Sequence, residues 1–496
     1  MINKVQMNEY NDAKVNCFGM DETEITGFTQ KRIHHWDSIA EVADTTSSWG
    51  QYYHERLKEI YQFFVVPGQR VLEVGCGQGD LLSSLKPSLG VGVDFSRNMI
   101  ERACQRHPGL HFVHADAHAL KLSESFDVII LSDLVNDVED VQKVLEQIKK
   151  FSTPSTRILL NFYSKLWEQP LKLAQKLRLA TSVLPQNWLT VEDVVNLLYL
   201  ADIEVIRHWE EIICPLPIPF IAPLSNRYLV KFWPFKMLAL TNFVIARPQP
   251  KPRQLAQEPM VSVIVPARNE AGNIAQILAR TPEMGARTEI IFVEGHSQDE
   301  TYSTIEKAIA EHPERLCKLY RQTGQGKGDA VRLGFAQASG DILMILDADL
   351  TVPPEDLPRF YEALWTEKAE FVNGVRLIYP MEKEAMRFFN LLGNKFFSLA
   401  FSWLLGQPIK DTLCGTKVLT KRNYLKIVSN RAYFGEFDPF GDYDLIFGAA
   451  KLNLKIVDLP IRYRERTYGT TNIARWKHGW LLLKMVVFAA GRLKFV

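Results

Sequence analysis

A chain of 496 residues is too long for one ordinary domain, and 47% hydrophobic with 23% charged residues is the balance of a folded, core-forming protein. A formal net charge of +1 offers no global attraction to a polyanion, so no nucleic-acid partner is expected. The six cysteines (Cys17, Cys76, Cys104, Cys214, Cys317 and Cys414) make no CxxC pair, which argues against a disulfide framework or zinc site and fits a cytoplasmic location.

Residues 1–45 are polar and without clear periodicity, the pattern of an arm or lid, and their first stretch, MINKVQMNEYNDAKVN, lacks the apolar core of a signal peptide. From about residue 46 to 247, β-like apolar runs alternate with helix-length segments, which predicts an α/β domain with a largely parallel sheet. RVLEVGCGQGD (70–80) is a short strand followed at once by Gly75, Gly77 and Gly79, which let the backbone approach a ligand closely. The spacing is G-x-G-x-G, not the G-x-G-x-x-G of dinucleotide-binding loops. GVGVDFS (90–96) adds a strand ending in Asp94, LHFVHADA (110–117) one ending in Asp116, and FDVIILSDLV (126–135) one emerging at Ser132 and Asp133. Each aspartate alone reads as a turn residue or helix cap. Their order behind one glycine loop points to a ligand site.

With Glu73 before the loop, this stretch resembles a class I S-adenosylmethionine-dependent methyltransferase. RILLNFYS (157–164), IEVIRH (203–208) and LTNFVIARP (240–248) complete the seven strands of that fold. The resemblance implies that Glu73, Gly75, Gly77, Gly79, Asp94 and Asp116 bind S-adenosylmethionine, with Asp94 on the ribose and Asp116 on the adenine edge. His54, His118 and Asp133 fall near such a pocket, and none is assigned a catalytic role. The methyl acceptor stays open, as does a domain that binds the cofactor without transferring its methyl group.

ARPQPKPRQLAQEPM (246–260) holds four prolines among polar residues and predicts a linker over 248–259. Beyond it, MVSVIVPARNEAGNI (260–274) is a strand that breaks at Pro266 and passes Arg268, Asn269 and Glu270 into a helix. TEIIFVEGHSQDET (288–301) is a second strand, ending in Glu294. In GQGKGDAVRLGFAQASGDILMILDADL (324–350), a glycine and lysine loop leads to an amphipathic helix and a strand that finishes on Asp347 and Asp349. In an extended chain those two carboxylates share a face, where a magnesium or manganese ion would neutralise them and take phosphate oxygens in turn.

These segments resemble the inverting family 2 glycosyltransferases of the GT-A fold, closest to the dolichyl- and polyprenyl-phosphate sugar synthases. The resemblance spans 260–475 and implies a nucleotide-sugar donor bordered by Pro266, Arg268, Glu270, Glu294, Lys327 and Asp347, with Asp347 and Asp349 as the metal-binding DxD motif. DTLCGTKVL (411–419), which contains Lys417, matches the acceptor-side D-x-x-x-G-x-K/R segment. Asp444, with Asp442 two positions earlier, stands where the family has an acidic residue. Arg464, Arg466 and Thr471 sit on the loop expected to close over a diphosphate or an acceptor phosphate. Asp349, Asp444, Arg464 and Arg466 form the implied catalytic set. Glu294–Gly295 departs from the two aspartates frequent at that point of the family, which leaves the nucleotide open.

No run reaches eighteen uninterrupted apolar residues, so no spanning helix is expected. FFNLLGNKFFSLAFSWLLG (388–406) and the amphipathic segment at 476–496 fit either core helices or contact with the inner face of a membrane. The sequence thus predicts two Rossmann-like domains, one a seven-stranded methyltransferase fold and one a GT-A fold. The expected function is bifunctional: metal-dependent sugar transfer to polyprenyl phosphate in cell-envelope biogenesis, plus methyl transfer. Sugar transfer to a glycan or protein hydroxyl is one alternative. A metal-dependent nucleotidyltransferase is another, against which DTLCGTKV and RERTYGTTN weigh.

Overall fold

A computed structural model of the chain describes residues 26–42, 48–176, 184–250, 257–376, 388–433, 443–464, 466, 468 and 475–495. The chain folds as two units that divide between Gln249 and Pro250, inside the proline-rich seam. The seam's first two residues belong to the first unit, where the Gln249 N–H donates to the Asp202 carbonyl (2.8 Å). Residues 251–256 of the expected linker and 1–25 of the expected arm lie outside the described residues.

The first unit runs α1 Gly27–Val42, α2 Ser48–Phe64, β1 Arg70–Val74, α3 Asp80–Ser84, β2 Leu89–Asp94, α4 Arg97–Arg106, β3 His111–His114, β4 Phe126–Ser132, α5 Val141–Lys149, β5 Ser152–Tyr163, α6 Glu168–Lys176, α7 Val191–Leu200, β6 Ile203–Glu211, α8 Ile221–Arg227 and β7 Thr241–Pro248. Its sheet has the order β3-β2-β1-β4-β5-β7-β6, with only β7 antiparallel to its neighbours. Strands such as β1 and β4 are buried along most of their length because helices cover both faces. The order reverses at β1 and β4, and the carboxyl ends of those strands carry the glycine loop and Asp133.

The polar segment expected as an arm contains α1. Asp37 of α1 accepts from the Ser96 hydroxyl (2.5 Å) at the end of β2, and Arg32 and Trp36 both donate to Asp137 beyond β4 (2.8 and 2.7 Å). The helix therefore bridges the two strand ends that flank the glycine loop.

The second unit runs β8 Val261–Ala267, α9 Ile274–Arg280, β9 Thr288–Glu294, α10 Thr301–Glu311, β10 Leu316–Arg321, α11 Lys327–Gln337, β11 Ile342–Ile345, α12 Leu357–Trp365, β12 Phe371–Val375, α13 Phe388–Leu405, β13 Lys417–Thr420, α14 Lys421–Ser429, α15 Tyr443–Lys451, β14 Ile456–Pro460 and α16 Arg475–Ala489. Its sheet order is β10-β9-β8-β11-β13-β12-β14, in which β13 alone is antiparallel. β8 and β9 are buried almost throughout, so Val263, Ile264, Ile291 and Phe292 feed cores on both faces.

Candidate functional site

In the first unit the loop after β1 is built on left-handed backbone. Gly75, Gly77 and Gly79 have φ of 77°, 51° and 77°, which L side chains rarely adopt. A Cβ on Gly75 would meet Leu134 (2.8 Å) and one on Gly79 would meet Phe112 (2.6 Å), whereas Gly77 faces open space. The Gly77 N–H donates to Asp94 Oδ2 and the Ser96 N–H to Oδ1, both at 2.9 Å, so the loop and the acid that follows β2 are locked together. Partial burial nevertheless pushes the Asp94 carboxyl up to about 6. Glu73 is buried within β1; desolvation raises it to about 8, against the Leu82 N–H that donates to it (3.0 Å). Glu73 therefore braces the loop from beneath.

Asp116 accepts from the backbone N–H (2.8 Å) and Nδ1 (2.6 Å) of His118, which makes it a cap on the turn after β3. These bonds overcome burial and hold its carboxyl below the ordinary range. His54 is exposed on α2. Asp133 is the surprise of this end of the sheet. It has φ 54°, accepts from Tyr53 Oη (3.0 Å) and Asn161 Nδ2 (2.6 Å), and burial lifts it to about 7. Tyr61 donates to Asn161 Oδ1 (2.7 Å), and the rings of Tyr53, Tyr163 and Trp188 follow one another at 6.1 and 6.4 Å. Nothing in the sequence pointed to Tyr53, Asn161 or Tyr163; they are scattered along the chain and meet because β5 pairs with β4 and α2 brings Tyr53 to Asp133.

In the second unit, β11 stops at Ile345 and the chain turns out of the sheet. The Leu350 N–H reaches back to the Asp347 carbonyl (3.3 Å), and Leu350 has φ 55°. The expectation that Asp347 and Asp349 share a strand face is corrected accordingly: the turn gives each carboxylate its own cation. Asp347 Oδ1 lies 2.6 Å from Lys327 Nζ at the start of α11. Burial alone would raise this carboxyl, but Lys327, then Lys417 and Arg376, hold it below the ordinary range. Asp349 accepts from Arg466 (2.7 Å) and from the Thr351 hydroxyl (2.7 Å).

Two further observations show how tightly this corner is built. A Cβ on Gly415 would collide with Asp347 Oδ2 and Lys327 Nζ, so the DTLCG segment packs its backbone directly on the pair. Behind it, Lys417 is fully buried with Nζ donating to the Cys414 carbonyl (2.5 Å), and Arg376 forms a two-pronged bond to buried Asp411 (2.7 and 2.8 Å). Arg376 carried no sequence signal beyond its place at the carboxyl end of β12.

The basic segment after β14 lies over the same corner. The Arg464 N–H donates to the Thr351 carbonyl (3.0 Å) with its side chain exposed, Arg466 spans Asp349 and Glu270 (3.4 Å), and Tyr468 packs where Gly272 has no side chain. Burial raises the Glu270 carboxyl to about 7, against the pull of Arg466 and Asn273. Pro266 is half-buried and Arg268 exposed at the end of β8; at the end of β9, Glu294 accepts from the Ser297 N–H (2.5 Å). Ala267 pairs with Glu294 across those strands, so Pro266, Arg268 and Glu294 share one sheet end.

Asp444 sits in the first turn of α15 and pairs with Arg431 (3.0 Å), beside Tyr424. Asp442 and Thr471 lie outside the described residues.

The carboxylates of Asp347 and Asp349 are hard oxygen donors, and among the described residues no group of three or more His, Cys, Asp or Glu side chains is placed to hold a metal. That donor set fits magnesium or manganese, which take one or two carboxylates and complete their shell with water and substrate phosphates.

Residues 262–426 match the Glycosyl transferase family 2 model, and residues 66–202 match a Methyltransferase domain model. The chain joins these two domains. A dolichol-phosphate mannosyltransferase from Pyrococcus furiosus is 31% identical over 218 residues, 43% of this chain and 59% of that protein. An undecaprenyl-phosphate 4-deoxy-4-formamido-L-arabinose transferase from an Enterobacter species is 33% identical over 213 residues, 42% of this chain and 61% of that protein. The chain thus spans about three fifths of the length of these two relatives. A solved SAM-dependent methyltransferase from Thermotoga maritima aligns over 44% of this chain and all of its own, with 18% identity and a TM-score of 0.35. The first sheet belongs to the methyltransferase domain and the second to the glycosyltransferase domain.

Among the described residues no helix is long and apolar enough to cross a membrane. The two apolar helices of the glycosyltransferase domain divide their faces. α16 buries Leu482, Met485 and Ala489 and exposes Trp480, Leu483 and Val487; α13 buries Phe401 and Leu404 and exposes Phe396 and Leu399.

Proposed function

We propose that the glycosyltransferase domain transfers a sugar, with inversion, from a nucleotide-sugar donor to a polyprenyl phosphate, and that the methyltransferase domain uses S-adenosylmethionine. The observation that carries this reading is the corner around Asp347, which pairs with Lys327 within the field of Lys417 and Arg376, while Arg466 holds Asp349. Sugar transfer from a nucleotide diphosphate leaves negative charge on the departing phosphates, and preorganised cations are what lowers that barrier. Relatives whose names specify dolichol-phosphate and undecaprenyl-phosphate support the acceptor.

Asp347 and Asp349 would hold the metal ion, which supplies charge neutralisation for the leaving diphosphate. Lys327 would then be released toward the phosphates. Glu270, Glu294, Pro266 and Arg268 border the nucleoside. Arg464 and Arg466, on the segment that lies over the corner, would steer an acceptor phosphate, which is already ionised at neutral pH and requires no base. A hydroxyl acceptor would require one, and Asp444, tied to Arg431, is poorly offered for that role. In the methyltransferase domain the chain's part is alignment: Gly77 and Asp94 bind and orient the donor, and Asp133 is the group nearest neutrality that could take a proton from an acceptor.

The acceptor reading is tested with Asp444→Asn. Transfer to a lipid phosphate should fall by less than about tenfold, the range of a general-base loss being 10²–10⁴. Total loss with the phosphate acceptor would refute the steering account and restore a base-dependent hydroxyl reaction.

A further inference from the structure

The connection from β6 to β7 turns its amphipathicity inside out. Between residues 212 and 240 the chain carries no aspartate or glutamate, and its basic residues are Arg227, Lys231 and Lys236. The polar groups face inward: buried Asn226 accepts from the N–H groups of Ile213 and Cys214 (both 2.8 Å) and donates to the Cys214 carbonyl (2.7 Å). Lys231, almost fully buried, is paired with Glu211. The apolar groups face water instead. Phe220 is 90% exposed, Trp233 75%, Ile221 58%, and Leu224 and Met237 55% each. Phe220 is held out from left-handed backbone, φ 61°, which a bulky side chain avoids without compensation.

A segment fastened by its polar groups and displaying Phe, Trp, Ile, Leu and Met is not an accident of a loose loop; contiguous apolar surface of this kind marks an interaction site. We propose that this surface docks on an anionic lipid bilayer. Two features favour a bilayer over a protein partner. The segment itself lacks acidic residues and exposes Arg227, while half-buried Lys236 lies 3.4 Å from Glu210 at its edge, so the outward-facing charge of the segment is basic and suits anionic headgroups. Trp233, Tyr228 and Phe232 are the amphipathic or aromatic types that settle at the membrane–water boundary.

The position adds a consequence. Thr241 pairs with Tyr163 and Glu211 with Thr241, so the segment leaves and rejoins the sheet at the end where β5 finishes and the glycine loop and Asp133 stand. Docking there turns the methyl-transfer end of the domain toward the lipid, which assigns it an acceptor carried on, or partitioned into, the bilayer. The inference stands independently of the glycosyl acceptor, because it concerns the methyltransferase domain's own surface.

The test is sedimentation of the full chain with vesicles of phosphatidylcholine and phosphatidylglycerol at roughly 3:1, and with phosphatidylcholine alone. The chain should sediment with the anionic vesicles, and the double variant Phe220→Ser with Trp233→Ser should bind at least about tenfold more weakly at unchanged thermal midpoint. Trp233→Phe should still bind but lose most of the quenching of tryptophan emission by brominated lipid. Three results would overturn the proposal. The parent could stay in the supernatant; binding could vanish only in Trp480→Ser with Val487→Ser, which assigns the contact to α16; or the parent could form a dimer that the Phe220→Ser, Trp233→Ser variant dissolves, which assigns the surface to a second copy.

Discussion

Because Gly415 abuts both the carboxylate of Asp347 and the ammonium of Lys327, the charge balance of this corner depends on a residue that carries no charge. Gly415→Ala should abolish glycosyl transfer while leaving the fold intact, since one methyl group must displace either Asp347 or Lys327. Loss of donor binding by calorimetry at an unchanged thermal midpoint checks it. In the other domain Glu73 is the residue whose protonation matters most to stability. Its carboxyl is near 8 in the fold against an ordinary 4.5, so the folded state holds a proton that the unfolded chain releases between those values. The stability this confers is complete below pH 4.5 and is lost as pH rises through about 8. Glu73→Gln, which keeps an acceptor for the Leu82 N–H, should therefore be more stable than the parent at pH 8 by a few kcal/mol, with the difference closing toward pH 4.5. Denaturant melts at the two pH values check the sign.

At the scale of elements, α1 is the part of the methyltransferase domain that the sequence concealed. Its residues are polar because it lies across loop ends and is held by Arg32, Trp36 and Asp37, not by an apolar stripe, so periodicity had nothing to report. Asp137→Ala removes both donors' partner. Hydrogen exchange over 27–42 should accelerate, and affinity for S-adenosylmethionine should fall by about tenfold, because the helix no longer braces the turn at Ser96. By contrast, all seven strands of the first sheet and β8, β9 and β11 of the second were legible, since runs such as VSVIVPA and TEIIFVE are apolar when helices cover both faces, whereas β10 and β12 were not singled out. The Asp347–Asp349 segment was misread in geometry. An alternation argument holds only while the chain stays extended, and here it ends at Ile345. Arg376, Lys417 and Asp411 explain the rest of the difference, since a cation's partner across a sheet is set by strand order, which spacing along the chain does not encode.

At the scale of the whole molecule, two sheets of seven strands each place their ligand-facing residues at carboxyl ends beside a reversal of strand order. Each domain has its own core, so the two activities should be separable by single substitutions. Gly77→Val, at a left-handed position that also faces open space, should remove S-adenosylmethionine binding and spare glycosyl transfer. Asp349→Asn should do the reverse. The most direct test of the central claim uses labelled UDP- and GDP-sugars with manganese and a short polyprenyl phosphate, scored for label that enters an organic extract. Extractable label that appears with one donor and disappears in Asp349→Asn is the predicted result. Release of nucleotide without extractable label, or label that persists in Asp349→Asn, would contradict it.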